Sequence, residues 1–173
     1  MTNACEEHPE LELTEWTPSS IFWADYDEVT YEVKRGEKVK KEKRGVRPDS
    51  YFVIVQPNYP PSRFLLEIDM SSEDLPRFAR EKLHAGIAYI RSEAYKQRFG
   101  YNAGRWLVVT TGDIRRRNMQ ELTARELGKA AGVWYYTTFD LTKQYNALTD
   151  PIWYHGGEDT PTTLFESYSR NAP

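Results

Sequence analysis

The segment GVRPDSYFVIVQPNYPPSRFLLEIDMSS, residues 45–72, places two short apolar runs on either side of a proline-rich turn. The runs at 50–55 and 63–69 have the length and the residue types of β-strands. The sequence NYPPS between them is typical of a turn, because proline fixes the backbone and cannot donate to a strand ladder. The segment therefore predicts an antiparallel pair of strands at the centre of the fold.

Regular elements are predicted on both sides of this pair. Upstream, residues 13–27 favour a short helix or an irregular arm, and the alternation of apolar and polar residues at 28–34 predicts a strand. The charged residues 35–45 then form a turn or an extended hairpin. Downstream, the hydrophobic pattern predicts a long amphipathic helix, a strand, a second helix and a last strand, at 75–94, 105–111, 113–131 and 133–139.

This order of elements predicts an α/β fold, with a mixed central sheet flanked by helices. Ser71 or Ser72 is expected to cap the first helix, and Asp113 the second. The predicted organisation is an N-terminal tail at 1–13, one domain at 14–140 and an irregular C-terminal tail at 141–173 that packs on the domain.

Composition limits the classes of protein that fit. A chain of 173 residues with 39% apolar content forms one domain with its own core. The single cysteine, Cys5, has no partner for an internal disulfide. No apolar run is as long as a membrane span, and the acidic N-terminus does not resemble a signal peptide. These features predict a cytoplasmic protein with no membrane partner.

Positive charge is concentrated in one segment although the formal net charge is −3. Residues 34–47 carry eight basic side chains against Glu37 and Glu42, and three consecutive arginines follow at 115–117. Runs of this kind are either solvated loops or phosphate-binding surfaces. Both interpretations stay open on composition alone.

Three carboxylates are the first candidates for a functional site. Side chains alternate along a strand, so Glu67 and Asp69 share one face, and the hairpin brings Asp49 close to them. Like charges at such range repel unless a cation lies between them, and carboxylate oxygens suit Mg²⁺ or Mn²⁺. Alternatively, Asp49 is a turn residue, and Asp69 begins the turn into the following helix.

Lys82 is a second anomaly. On a helical wheel it falls within the apolar arc of the long helix, between Leu75 and Phe78, where a leucine would be usual. A lysine there needs either a partner or a route to water. Since the helix must fold back over the sheet, Lys82 is expected to project toward the carboxylates, as a catalytic group or as a structural ion pair with Glu67.

These residues together resemble a known family. The sequence RPD before an apolar strand, then LLEID, then a helix with an inward lysine, is similar to the PD-(D/E)XK phosphodiesterase core. More specifically, residues 46–131 resemble the replication-relaxation family of plasmids and other mobile elements. The resemblance implies a nuclease-like αβββαβ core, a role in plasmid replication or relaxation, and DNA as the ligand.

The resemblance also implies roles for particular residues. Asp49 matches the first acid of the motif and Glu67 the second, whereas Asp69 stands where the motif has its lysine. Lys82 is the candidate for a lysine that has moved to the following helix. The implied function is metal-dependent hydrolysis of DNA phosphodiesters, as an endonuclease or nickase. Asp49, Glu67 and Asp69 would hold Mg²⁺ or Mn²⁺, and Lys82 would complete the catalytic set.

The alternative is a catalytically inactive nuclease-like module that binds DNA or a protein and regulates plasmid replication. In either case the expected partner is DNA, with a replication or relaxation protein and a second copy of the chain as further candidates. The residues expected to contact the DNA backbone are basic and lie in or just after the charged segment: Arg47, Lys40, Lys41, Lys43 and Arg44.

Overall fold

A computed structural model of the chain describes residues 2–72 and 74–165, so residues 166–173 of the predicted C-terminal tail lie outside the described part. The described strands are, in chain order, Glu12–Pro18 (β1), Asp27–Arg35 (β2), Lys38–Val46 (β3), Ser50–Val55 (β4), Ser62–Asp69 (β5), Arg105–Thr110 (β6), Trp134–Thr138 (β7) and Tyr154–His155 (β8). Most of the runs predicted as strands therefore form strands.

Six strands form a mixed central sheet in the order β1-β4-β5-β6-β7-β8. The pairs β1/β4, β4/β5 and β7/β8 are antiparallel, whereas β5/β6 and β6/β7 are parallel. Strand β4 is buried along most of its length, as its continuous apolar run requires. The predicted hairpin of β4 and β5 and the predicted mixed sheet are confirmed.

Helical segments connect the strands. They are Thr2–Glu6 (α1), Ser19–Ala24 (α2), Leu75–Phe78 (α3), a π-helical turn at Ala79–Leu83, His84–Ile90 (α4), Glu93–Phe99 (α5), Asp113–Leu127 (α6), a 3₁₀ segment at Gly128–Val133, and Phe139–Gln144 (α7). The sheet is flanked by helices, as predicted. None of the described helices is long and apolar enough to cross a membrane.

The two faces of the sheet bury separate cores. On one face, helices α2 to α6 and the β2/β3 hairpin cover a core that includes Tyr51, Leu65 and Trp106. On the other face, residues from both ends of the described chain cover Phe52 and Phe64. The candidate acids of β5 belong to the helix-covered face, because Glu67 and Asp69 continue the alternation from Leu65.

The first strand of the central sheet was not predicted. Residues 12–18, expected as part of a tail and an arm, pair with β4, and helix α2 follows. The predicted strand at 28–34 instead pairs with β3 in a separate two-stranded sheet. The pattern of β1 misled the prediction because β1 is an edge strand whose side chains are mostly exposed, so it shows no apolar alternation.

The helix predicted at 75–94 is interrupted. A π-helical turn separates α3 from α4, and α5 begins after the capping residue Ser92. The cap of α3 is Asp74, which accepts a hydrogen bond from Arg77 N–H at 2.6 Å, so the predicted cap at Ser71 or Ser72 is wrong. In the same way, Gly112 rather than Asp113 precedes α6 as its cap.

The two predicted tails contribute to the structure. Leu11, from the predicted N-terminal tail, is buried in the second core together with Leu148 and Trp153, which belong to the tail that was predicted to pack on the domain. Asn146 also donates a hydrogen bond to the backbone oxygen of Ala4 at 3.2 Å. The two ends therefore supply the cover that the second face of the sheet needs.

Candidate functional site

Asp49 and Glu67 lie next to each other at the end of the β4/β5 hairpin. The last pair of the ladder is Ser50 opposite Leu66, so Asp49 and Glu67 are the next residue along on each strand. The Asp49 carboxylate accepts a hydrogen bond from the backbone N–H of Ile68 at 2.7 Å. This bond places the carboxylate beside the peptide group that joins Glu67 to Ile68.

Glu67 is paired with Lys82. The Lys82 ammonium donates to Glu67 Oε1, and the exposed fractions of the two side chains are 37% and 7%, respectively. Lys82 stands in the π-helical turn, whose wider hydrogen-bonding pattern changes the direction of side chains relative to a regular helix. The sequence predicted that Lys82 points toward the acids, and the structure places it there.

Asp69 has different partners. Both of its oxygens accept hydrogen bonds from the Arg115 guanidinium at 3.0 Å, and Thr110 on β6 donates to it at 2.5 Å. Burial raises the pKa of Asp69, but the hydrogen bonds from Arg115 and Thr110 outweigh burial and hold this pKa below its ordinary value. The neighbouring acids on β5 are thus neutralised by two separate cations.

A cleft opens beside the Glu67–Lys82 pair. It has a volume of about 330 Å³ and is lined by a mixture of charged and aromatic side chains that includes Glu67, Lys82, Arg47, Arg77, Glu81 and Trp23. Its size is at the lower end of the range of roughly 300–1,000 Å³ for small-ligand pockets. Two larger cavities, of about 650 and 700 Å³, lie elsewhere and do not include the predicted acids.

The predicted DNA contacts are spread over the β3 strand and the cleft. Arg47 lines the cleft. Lys43 pairs with Glu28 at 2.6 Å, and Arg44 pairs with Glu42 at 3.2 Å. Lys40 and Lys41 are exposed on the same strand. The basic strand therefore leads along the β2/β3 hairpin to the cleft.

A divalent metal ion such as Mg²⁺ needs several oxygen ligands. Within residues 2–72 and 74–165, no group of three or more His, Cys, Asp or Glu side chains could hold a metal ion. Asp49 and Glu67 occupy neighbouring positions on paired strands, although of these two only Glu67 lines the cleft. Mg²⁺ is commonly held by one or two carboxylates together with substrate phosphates. Glu67 is engaged by Lys82 and Asp49 by the Ile68 N–H, so each residue brings one oxygen that is already hydrogen-bonded, whereas both oxygens of Asp69 are taken by Arg115 and Thr110.

Sequence reasoning missed several residues that line the cleft. Arg77 and Glu81 form an ion pair at 3.0 Å, and nothing in the sequence pattern connects them with the acids. Trp23 lay in a segment without a clear assignment. Arg115 was visible only as part of a basic run. Only the topology brings these side chains together.

Comparisons with known proteins give no identification. No family model matches the sequence. No curated protein matches it either. The function is therefore argued from the geometry of the site and from the motif residues.

Proposed function

We propose that the chain is a metal-dependent phosphodiesterase that acts on DNA in the replication or relaxation of plasmids or other mobile elements. The observation that carries the proposal is the position of the Asp49 carboxylate next to Glu67, with the Lys82 ammonium on Glu67. Two acids and a lysine in this arrangement are what the motif resemblance requires. The association with mobile elements is supported by the sequence resemblance alone.

Each residue has a distinct part in this proposal. Asp49 and Glu67 would hold one Mg²⁺ or Mn²⁺ ion, and a bound ion of this kind polarises a phosphate and lowers the pKa of a coordinated water. Lys82 stabilises the negative charge that develops on the phosphate during hydrolysis. Arg47 and Arg77, on the walls of the cleft, bind neighbouring phosphates and position the strand.

The experiment is incubation of the protein with supercoiled plasmid and Mg²⁺ or Mn²⁺, followed by electrophoresis. Wild-type protein is expected to produce nicked or linear DNA, and Asp49→Asn, Glu67→Gln and Lys82→Met to produce none above background. Glu12→Gln is the matched control, because Glu12 pairs with Val55 at the far end of β4 from Asp49. Cleavage that persists in Asp49→Asn and Glu67→Gln would refute the assignment of this site.

A second candidate function is supported by a specific observation. Asp69 occupies the position of the motif lysine, and its ion pair with Arg115 at 3.0 Å gives it a structural partner. An inactive nuclease-like module that binds DNA or a replication protein would need only the fold and the basic surface. Uncleaved plasmid with every metal, together with a salt-sensitive shift of DNA in gels, would favour this alternative.

A further inference from the structure

Two exposed aromatic rings stand at the mouth of the cleft. Trp23 is 69% exposed and Tyr26 is 41% exposed. Trp23 also lines the cleft that contains Glu67 and Lys82. Because most of the indole surface faces solvent although the ring belongs to a cleft wall, this ring offers a flat face to a ligand.

The segment that carries Trp23 is anchored on both sides of this residue. Its neighbour Phe22 is completely buried in the helix-covered core. The guanidinium of Arg98 donates to the backbone oxygen of Asp25 at 3.0 Å and to both carboxylate oxygens of Asp27. These contacts fix both ends of the segment that carries Trp23, so the aromatic surface is organised before any ligand arrives.

Arg47 joins the two rings to the cleft. Its guanidinium carbon lies 3.7 Å from the ring centre of Tyr26 and 5.4 Å from that of Trp23. The Tyr26 ring can lie this close to the backbone because residue 45 is glycine, where an added Cβ would lie 2.8 Å from a ring carbon of Tyr26. The result is a continuous surface of two rings and one cation that leads toward Lys82.

We propose that this surface, defined by Trp23, Tyr26 and Arg47, binds an unpaired base, so that the substrate of the site is single-stranded or locally unpaired nucleic acid. This inference rests on the proposed function, because it names the substrate class of the same cleft. Inside a duplex each base is covered by its neighbours, whereas an unpaired base can stack on an aromatic ring. The base stacks on Trp23, and Arg47 and Arg77 bind the adjoining phosphates.

The charge around the rings favours a nucleic acid over an apolar protein segment as the occupant. Three cations, Arg47, Arg77 and Lys82, line the same cleft as the indole against two acids, Glu67 and Glu81, and the basic strand β3 leads into it. Alternation of an aromatic face with cations is the arrangement by which proteins hold single strands without sequence preference. A purely apolar ligand would desolvate Arg47 and the ion pairs of Lys82 with Glu67 and of Arg77 with Glu81, and it would offer them no polar contact in return.

The test is a binding titration with a single-stranded oligonucleotide and with a blunt duplex of the same sequence, at one salt concentration and with EDTA present to prevent cleavage. Wild-type protein is expected to bind the single strand at least tenfold more tightly than the duplex and to show quenching of tryptophan fluorescence. Trp23→Ala should weaken binding of the single strand by roughly 5- to 150-fold. Trp23→Phe should retain most of the affinity.

Trp16→Ala is the matched control. Trp16 is 48% exposed and stacks on Phe52, at the opposite face of the sheet, with 5.7 Å between ring centres. This variant is expected to bind as wild type does. Equal affinity of wild type for single strand and duplex, no binding of either, or unchanged affinity in Trp23→Ala would overturn the inference. Because the titration contains no metal, preferential single-strand binding without any plasmid cleavage would refute hydrolysis and leave the stacking surface in place.

Discussion

At the scale of the residue, the Glu67–Lys82 pair accounts for an acid inside an apolar strand. A carboxylate with 7% exposure is stable as an ion only when a partner neutralises it, and Lys82 supplies that partner from the π-helical turn. The lysine is 37% exposed, so it reaches the cleft as well as the acid. In the proposed function, the same side chain would therefore serve both stability and chemistry.

Replacing the lysine should reveal its structural part. Lys82→Met leaves Glu67 buried without its cation, and partial exposure of the lysine limits the cost, so the free energy of unfolding should fall by about 1–2 kcal/mol. Urea denaturation at neutral pH measures the change. The double variant Glu67→Gln with Lys82→Met should recover part of the loss, because it removes the uncompensated charge. A Lys82→Met protein as stable as wild type would show that the pair contributes nothing to folding.

Asp69 should make the free energy of unfolding decrease at acid pH. Its pKa in the folded protein lies below its ordinary value, whereas in the unfolded chain it is about 3.9. Its contribution to stability is therefore complete above the pKa of the unfolded state and disappears as the pH falls through the pKa of the folded state. Denaturation of wild type and of Asp69→Asn between pH 2 and pH 6 measures this effect.

In that experiment, wild-type stability should fall more steeply below about pH 4 than the stability of Asp69→Asn. Arg115→Met should show the same reduced dependence on pH, because it removes the cation that lowers the pKa of Asp69. Parallel curves for wild type and both variants would contradict the linkage.

Hydrophobic periodicity predicted individual residues of the site only where a charged residue interrupts an apolar face. Glu67 and Lys82 interrupt apolar faces, so periodicity marked both of them. Trp23 and Arg77 stand at positions where the sequence would accept any surface residue. Only the folded structure shows that both side chains line the cleft. The ion-pair partner of Asp69 could not be predicted from sequence either, because Arg115 lies 46 positions further along the chain.

At the scale of the element, helix α4 packs closely on the sheet at Gly86, against Trp106 and Trp134. The indole N–H of Trp106 donates to the backbone oxygen of Gly86 at 3.2 Å. A Cβ added at Gly86 would lie 2.6 Å from Trp134 and 2.9 Å from Trp106, and these two rings are stacked with centres 5.0 Å apart. Helix α4 therefore needs glycine at this position to lie against the two tryptophans.

Gly86→Ala should destabilise the protein although alanine favours helices. The methyl group must displace a stacked tryptophan or the helix, which costs about 1–3 kcal/mol. Thermal unfolding measures the loss, and near-ultraviolet circular dichroism reports the two tryptophans. Gly132→Ala is the control, since an added Cβ at this exposed glycine meets no heavy atom within 4 Å in the described structure. Equal stability of the two variants would contradict the close packing.

Elements were predictable from sequence in proportion to their burial. Strands β4, β5, β6 and β7 are buried, and their apolar runs gave their positions within a residue or two. Strand β1 is held by the ladder to β4 rather than by an apolar face, so its sequence carries no strand pattern. The π-helical turn could not be predicted, because the spacing of apolar residues along a long helix does not show where one turn contains an extra residue.

At the scale of the whole molecule, the second core joins the two ends of the described chain. Trp153 is fully buried and donates a hydrogen bond to the backbone oxygen of Ala147 at 2.7 Å. It packs in the cluster that contains Phe64 from the strand of the candidate acids. The segment predicted as an irregular tail thus supports the sheet from the side opposite the site.

Trp153→Ala should therefore affect the entire fold. Removing a fully buried tryptophan leaves a cavity and is expected to cost about 3–5 kcal/mol. Chemical denaturation and the binding of a hydrophobic dye measure the loss of packing. Trp16→Ala serves as the comparison, because Trp16 is 48% exposed and should cost much less. If both variants lost the same stability, packing around Trp153 would not support the sheet.

The central proposal is that Asp49 and Glu67 would together hold one divalent cation beside Lys82, and Mn²⁺ binding tests it most directly. Electron paramagnetic resonance titration of metal-free protein should show one Mn²⁺ bound per wild-type chain. That site should be lost in Asp49→Asn and in Glu67→Gln and retained in Asp69→Asn. Wild-type protein that binds no Mn²⁺, or binding that survives the first two substitutions, would contradict the claim.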